Sequence, residues 1–195
     1  MKIYKYSILF SILALSLASC SYDTSDFPKV INEEEVITTM EVELAPQGGG
    51  DTVMWVSRDL DGDGPQEPQI TISGPLRANT TYTGSLELLN ETEDPAESIN
   101  EEIMEEADEH QFFFQVAGLD ITTAYADSEA DYVSGGGTFP VGLAFVLTTG
   151  AASSGNYTIT LRHEPAKDAA GVADGDITNA AGETDFAQSF PVSIE

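Results

Sequence analysis

Apolar and polar residues alternate along much of this chain, with the period of two that is typical of half-buried β-strands. The first such run places Val36, Thr38, Met40, Val42 and Leu44 on one side, with polar or isolated apolar residues between them. The same pattern, bounded by Gly, Pro, Asp and Ser, predicts further strands at 51–57, 69–73, 80–89, 111–117, 120–125, 141–149, 156–163 and 186–194.

One segment has the period of a helix. Between Pro95 and Glu109 the chain is rich in Ala, Glu and Met, and Ile99, Ile103 and Ala107 recur at intervals of four residues, on one helical face. Many short strands, Gly-rich turns and this single helix predict a mainly β fold. We expect an antiparallel, immunoglobulin-like β-sandwich with one short helix.

Two further segments stand out in the pattern, a run of phenylalanines and a long stretch of small and acidic residues. Residues 112–114 are three consecutive phenylalanines, and neighbours in a strand point to opposite faces. We therefore expect Phe113, or else the pair that flanks it, to be covered by the helix or by a partner. The Asp-, Ala- and Gly-rich stretch from Lys167 to Gly182 is predicted to be a long loop.

The N-terminus resembles a bacterial lipoprotein signal. Lys2 and Lys5 precede an apolar run over 6–18 that is too short to span a bilayer comfortably, and residues 17–20 are Leu-Ala-Ser-Cys. This pattern predicts a signal peptide at 1–19, a tether at 20–29 lipidated on Cys20, and a domain at 30–195. The alternative is an ordinary signal peptide with a cysteine near the cleavage site by chance.

The net charge of the chain limits the classes of molecule that it can bind. The chain has 34 acidic and 7 basic residues and a formal charge of −27, which repels nucleic acid and anionic lipid and concentrates cations. Solubility in a salty habitat is an alternative reason for this charge. Cys20 is the single cysteine, so the predicted domain relies on its core without disulfides.

Four segments together resemble a known family. They are Asp59–Gly64 (DLDGDG), Glu101–Phe114 (EEIMEEADEHQFFF), Asn156–Pro165 (NYTITLRHEP) and Gly182–Phe186 (GETDF). They are similar to segments of small Bacteroidota lipoproteins, mainly flavobacterial, labelled "type 1 periplasmic binding fold superfamily protein". That label implies a two-lobed, doubly wound sheet with many helices, whereas the strand pattern of this shorter chain favours the sandwich. The resemblance also implies an accessory protein for a TonB-dependent outer-membrane receptor, at the periplasmic face or the cell surface.

An acidic loop is the first candidate metal site. Asp59, Asp61 and Asp63 alternate before Gly64, the spacing with which calcium loops fold carboxylates around one ion, and Glu67 supplies a later oxygen. The EF-hand pattern fails beyond this point, so we predict a calcium-like loop between two strands. The alternative is an acidic turn that satisfies its own backbone. A second, poorer candidate is the pair Asp174 and Asp176.

The chain's two histidines are the second candidate. Glu102, Glu106 and His110 would share a face if the helix extends that far, and His163 ends a predicted strand that could bring it alongside. Imidazole with carboxylate suits zinc, copper or iron, so Glu106, His110 and His163 are a candidate transition-metal site. The alternative is a solvated helix face with two unrelated histidines.

These features favour a membrane-anchored protein that binds a cation or other ligand for a transporter. A ligand-free interaction or adhesin-like module is the main alternative, and a carbohydrate-acting enzyme is a third. Catalytic motifs such as a Gly-x-Ser-x-Gly elbow, a phosphate loop or a dinucleotide fingerprint are missing from the sequence. We therefore expect no enzymatic activity.

Overall fold

Strands dominate the part of the chain that the computed structural model describes, which is residues 36–61 and 67–195. The predicted strands are confirmed to within three residues at each end, and β5 is an addition. In chain order the elements are β1 (Thr39–Pro46), β2 (Val53–Arg58), β3 (Gln69–Ile72), β4 (Thr81–Asn90), β5 (Glu97–Ser98), α1 (Asn100–Glu105), β6 (His110–Ala117), β7 (Ile121–Tyr125), α2 (Glu129–Tyr132), β8 (Ala144–Thr149), β9 (Ser153–His163) and β10 (Glu183–Ile194).

The strands form two antiparallel sheets. The larger is seven-stranded, with the order β3-β2-β1-β4-β8-β7 and with β5 paired to β4. The smaller has the order β10-β9-β6. The predicted mainly β, antiparallel sandwich is therefore confirmed.

The core lies between the inner faces of the two sheets. In β1 the alternation predicted from the sequence is observed, since Met40, Val42 and Leu44 are all fully buried. Trp55 of β2 packs against rings of the smaller sheet, with its centroid 5.4 Å from Tyr157 and 5.6 Å from Phe190. Because aromatic side chains each bury about 150–250 Å², this group is a large part of the contact between the sheets.

The predicted helix is shorter than its sequence pattern suggested. Only Asn100–Glu105 is helical, while Glu97–Ser98 pairs with β4. The Asn100 side chain accepts a hydrogen bond from the Leu88 backbone N–H at 2.9 Å and donates to the Leu86 carbonyl at 2.8 Å. These contacts satisfy the Leu88 N–H and the Leu86 carbonyl of β4. The residues just before Asn100 therefore form sheet hydrogen bonds with β4, although their sequence favours a helix.

A second short helix, α2, was missed by the sequence analysis. Ser128 and Asp131 form a capping box at its start, in which the Ser128 N–H and hydroxyl both donate to the Asp131 carboxylate. The Ser-x-x-Asp spacing is a recognisable signal for a helix start. Four residues are too few to show an apolar face, so periodicity could not identify this helix.

The predicted loop after Lys167 packs as a cover over the smaller sheet. It contains two short 3₁₀ turns, Val172–Asp174 and Ile177–Asn179. Phe113 lies on the outer side of β6 and packs with Val172 and Ala180. The cover of Phe113 is therefore this segment, and the expectation of a helix or a partner over Phe113 was wrong.

A buried ion pair attaches this cover to the sandwich. The Lys167 ammonium donates to Glu129 Oε1 at 3.0 Å and to the Ala107 carbonyl at 2.6 Å, and Glu129 Oε2 accepts from the Gly137 N–H at 3.0 Å. Burial lowers the pKa of Lys167, and the hydrogen bond that Lys167 donates to Glu129 opposes that shift. Such a pair is costly to break, because the remaining partner becomes an uncompensated buried charge.

We expect Lys167→Met to destabilise the protein by about 3–5 kcal/mol, because it leaves the Glu129 carboxylate buried without its cation. Urea denaturation of the parent and variant measures this loss. The double variant Lys167→Met with Glu129→Leu removes both charges and should lie closer to the parent than Lys167→Met alone. A double variant with the summed losses of both single variants would contradict the argument.

Candidate metal centre

The chain's two histidines are cross-strand neighbours. His110 is the first residue of β6 and His163 the last of β9, and the antiparallel register pairs them directly. Their rings are stacked, with centroids 4.8 Å apart and planes inclined by 15°. His110 is fully buried, whereas the His163 side chain is 14% exposed. The structure therefore brings together two residues whose proximity the sequence left open.

Glu106 reaches the same place through a tight turn, because α1 ends at Glu105 and no helix continues to His110. The Glu109 N–H donates to the Glu106 carbonyl at 2.8 Å, which closes the turn, and His110 Nδ1 lies 3.2 Å from the same oxygen. The predicted helical face was thus wrong in its geometry. It was right about the proximity of Glu106 and His110, whereas Glu102 is exposed on α1.

One donor atom from each of Glu106, His110 and His163 lies within 4.8 Å of the others. Zinc binds such donors at about 2.0–2.1 Å, so two tetrahedral ligands are about 3.3 Å apart. The cluster is therefore slightly wider than a bound site. Glu106 Oε2 is also buried, with no hydrogen-bond partner among the described residues.

The stacked rings limit how an ion could bind. An imidazole nitrogen donates its lone pair in the plane of the ring, and two nearly parallel planes do not intersect close to the rings. Binding therefore requires one ring to turn. His163 is the one with room, since its side chain is partly exposed while His110 is enclosed.

Asp185 is a fourth group at this cluster, and the sequence analysis did not single it out as a site residue. Its side chain is only 3% exposed, with Oδ2 3.8 Å from His110 Nε2 and Oδ1 3.9 Å from His163 Nδ1. Glu109, which is largely exposed, brings Oε2 to 3.5 Å from His163 Nε2. No spacing signal marks Asp185, since its position depends on an irregularity in β10.

Arg162 fixes the turn that leads to Asp185. Its guanidinium donates to the Ala181 carbonyl, to the Gly182 carbonyl at 2.6 Å and to the Thr184 hydroxyl. Gly182 has φ +65°, and a Cβ there would lie 2.1 Å from the His163 carbonyl oxygen. Glycine is therefore required at 182 for both its backbone conformation and its close approach to His163.

Next to His110, polar contacts connect β6 with β7 and with the cover. The Gln111 amide donates to the Tyr125 hydroxyl at 3.0 Å and to the Val172 carbonyl at 2.8 Å, and the Tyr125 hydroxyl donates to the Phe112 carbonyl at 2.6 Å. Burial raises the pKa of Tyr125 to about 12, although the Gln111 hydrogen bond opposes this. Tyr125 thus stays a neutral donor near pH 7 and supports the strand on which His110 lies.

The predicted calcium-like loop is described only in part, because Asp63 lies outside the described residues. Asp61 and Glu67 are exposed, and Asp59 Oδ1 accepts from the Asp61 N–H at 3.2 Å. That contact is a turn in which an Asp side chain satisfies the backbone. Calcium binding there stays a prediction.

The poorer candidate, Asp174 and Asp176, lies in the cover. Asp176 caps the second 3₁₀ turn, since its Oδ1 accepts from the Thr178 N–H at 2.9 Å. Hydrogen bonding from Thr178 lowers the pKa of Asp176. This carboxylate therefore has a local structural role.

The predicted lipidation site, Cys20, also lies outside the described residues. Within the described ranges, no helix has the length and apolar character needed to cross a bilayer. Comparisons of the chain with protein family models, with curated proteins and with solved structures give no match.

We expect Gly182→Ala to destabilise the protein by more than the about 1–2 kcal/mol of a left-handed Ala, because its Cβ would also collide with the His163 carbonyl. Gly135→Ala is a matched control, since Gly135 has φ +86° but open space around a Cβ. Urea denaturation measures the loss of unfolding free energy in each variant. The difference between the two losses is the contribution of the collision. Equal losses would show that the turn at 182 is not tightly packed against His163.

Proposed function

We propose that this protein is a lipid-anchored metal-binding protein of the outer membrane. In this proposal Cys20 carries the lipid, and the sandwich binds one divalent first-row transition ion through Glu106, His110 and His163. The protein would pass the ion to, or hold it for, a TonB-dependent receptor. The family resemblance supports the receptor, the N-terminal lipoprotein signal supports the membrane anchor, and the geometry of the site supports the ion.

The observation that carries the proposal is the meeting of the chain's two histidines with Glu106. The chain has only two histidines in 195 residues, and β6 and β9 pair them in register. Glu106 Oε2, a buried carboxylate oxygen without a hydrogen-bond partner in the described ranges, belongs to the same cluster. Desolvated oxygen is costly unless it is paired, and a bound cation would offset that cost.

The charge of the chain supports capture of a cation. A formal charge of −27 raises the local concentration of cations and their rate of association, most strongly at low ionic strength. The donor types then select among those cations. Imidazole nitrogen with carboxylate oxygen suits zinc, iron, copper or nickel, whereas calcium takes oxygen ligands.

An interaction module is the second candidate, and the edge strand β3 favours it. Three of its four residues are exposed, among them Ile70 at 39%, and Leu60, which precedes β3 in the chain, is 51% exposed. An exposed edge strand can pair with a strand of another protein. A metal-binding protein that also contacts a receptor would use both features, so the two candidates are compatible.

We expect the chain from residue 20 onward, carrying Cys20→Ser, to bind one Zn²⁺ or Co²⁺ per molecule in isothermal titration calorimetry. His163→Ala should weaken this binding at least about 100-fold, since even indirect partners of a metal ligand contribute 10- to 100-fold. His163→Ala is preferred to a change at fully buried His110, which would risk the fold.

Glu106→Gln should also weaken binding, and Glu105→Gln, one residue away and exposed on α1, is its matched control. Circular dichroism of each variant checks that the fold is kept. Absence of heat with every transition ion, or equal affinities of the parent and His163→Ala, would refute the proposed site. Calcium titration of Asp61→Asn tests the acidic loop separately.

We expect the mature protein to fractionate with membranes, and its intact mass to exceed that of the polypeptide from Cys20 by the attached acyl groups. Several acyl chains make anchoring lasting, because each buried CH₂ contributes about 0.8 kcal/mol. Cys20→Ala should lose both the added mass and the membrane association, whereas Ser19→Ala keeps a small residue and should retain them. An unmodified parent in the soluble fraction would overturn the anchored part of the proposal.

A further inference from the structure

The ion pair between Lys167 and Glu129 places an amine against a carboxyl group where water scarcely reaches. Their side chains are 4% and 5% exposed, and Lys167 Nζ lies 3.0 Å from Glu129 Oε1. Burial is costly for an ammonium and for a carboxylate alike. The same two groups are also the reactants from which an amide bond forms with loss of water.

Both oxygens of the Glu129 carboxyl group are held in place. Oε1 faces the lysine amine, and Oε2 accepts a hydrogen bond from the Gly137 N–H at 3.0 Å. A Cβ at Gly137 would collide with Oε2, so glycine permits this close approach of the backbone. A backbone N–H at a carboxyl oxygen stabilises the negative charge that develops there when an amine attacks the carbon.

The Lys167 amine is held on its other side by the Ala107 carbonyl, to which it donates at 2.6 Å. Burial lowers the pKa of Lys167, although its hydrogen bond to Glu129 opposes the shift, as do the charges of two aspartates, Asp108 and Asp127. A lowered pKa increases the share of neutral amine, which is the nucleophilic form. Fixed positions also replace chance encounter, since well-oriented groups react as if at about 10⁵–10⁸ M.

We propose that Lys167 and Glu129 form an isopeptide bond, an amide between Nζ of the lysine and Cδ of the glutamate. A proton first passes from the ammonium to Glu129 Oε1 along their hydrogen bond, which leaves a neutral amine and a neutral carboxylic acid. The lone pair of Nζ then attacks Cδ. As the N–C bond forms, an electron pair of the C=O bond moves to Oε2, beside the Gly137 N–H.

The second half of the reaction releases water. Another proton passes from Nζ to the Oε1 hydroxyl, the Cδ–Oε1 bond breaks, and one water leaves as the bond from Cδ to Oε2 becomes C=O again. One ammonium and one carboxylate thus become one amide and one water. No atom is oxidised or reduced, and no further reactant is needed.

The buried setting favours the amide over the ion pair. In bulk water the separate ions are favoured because water solvates both of them strongly, whereas this pair has already lost that solvation. The amide has one N–H and one carbonyl oxygen left to satisfy. The Ala107 carbonyl and the Gly137 N–H are in place as their partners. The product therefore buries no charge and no unpaired polar group.

The bond would join the start of the cover to α2, across 38 positions of the chain. A covalent link of this kind restricts the unfolded chain, as a disulfide does. Cys20 is the single cysteine of the sequence, so a disulfide within the chain is excluded. An isopeptide bond gives such a chain a cross-link without cysteine.

The test is a tryptic digest of the purified full-length protein under denaturing conditions. The sequence has no Lys or Arg between Arg77 and Arg162. An unlinked chain therefore gives three separate peptides from this part and the C-terminal part, which are 78–162, 163–167 and 168–195. In the linked chain trypsin does not cleave after the acylated Lys167, so that 78–162 stays joined to 163–195.

We expect the joined product, lighter by one water than the sum of its two parts. Tandem mass spectrometry should place the branch at Lys167 and Glu129. Lys167→Arg is the matched variant, because it keeps a cation beside Glu129 but its guanidinium stays protonated and is not a nucleophile. It should give only separate peptides.

An exposed ion pair serves as the control for burial. Arg58 pairs with Glu91, and the Arg58 side chain is 48% exposed. Arg58→Lys places an amine against a carboxylate that water can solvate, so we expect no branch at Glu91 in this variant.

Only separate peptides from the parent, after the folded protein has been incubated for weeks, would overturn the proposal. Loss of one water that persists in Lys167→Arg would also overturn it, because the water would then come from another part of the chain. The parent's own peptides decide the question even if Lys167→Arg folds poorly. The assay uses no metal, so its outcome is independent of the proposed function.

Discussion

The backbone register between β6 and β9 is the constraint on which the candidate site depends. It places His110 opposite His163 at the end where both strands meet the turn after α1. Backbone hydrogen bonds set this pairing, and a shift of either strand by one residue would turn that strand's side chains to the other face. The same ladder puts Phe112 into the main core and Phe113 under the cover. The site and the core are therefore fixed by one set of interactions.

The few cations of this acidic chain are used structurally. In the described ranges, Arg58 pairs with Glu91, Arg77 donates to the Gly49 carbonyl, Arg162 holds the 181–184 turn and Lys167 is buried against Glu129. Each closes a loop or a sheet edge by binding oxygen atoms. In a protein with so few positive side chains, an ion bound at the proposed site would offset the charge of a cluster of carboxylates.

The cover and the site are parts of one assembly. Lys167 begins the cover and donates to the Ala107 carbonyl, one residue after Glu106. The cover ends at the Arg162-bound turn, and the bulge at Asp185 follows within β10. Both ends of the segment are thus attached beside the cluster of Glu106, His110 and His163. Packing of Phe113 beneath the cover contributes to the rigidity of the proposed metal site.

By itself, the sequence determined the strands, the sandwich class and the pair of histidines at the ends of elements, because alternation and turn residues are local signals. It also indicated Glu106, although through a helix that ends too early. Only the tertiary structure decided where that helix stops, since β4 binds the Asn100 side chain. It also decided that the 167–182 segment covers Phe113, and that Asp185 joins the histidines. These depend on hydrogen bonds and register between distant segments, and a β-bulge leaves no periodic trace in the chain that contains it.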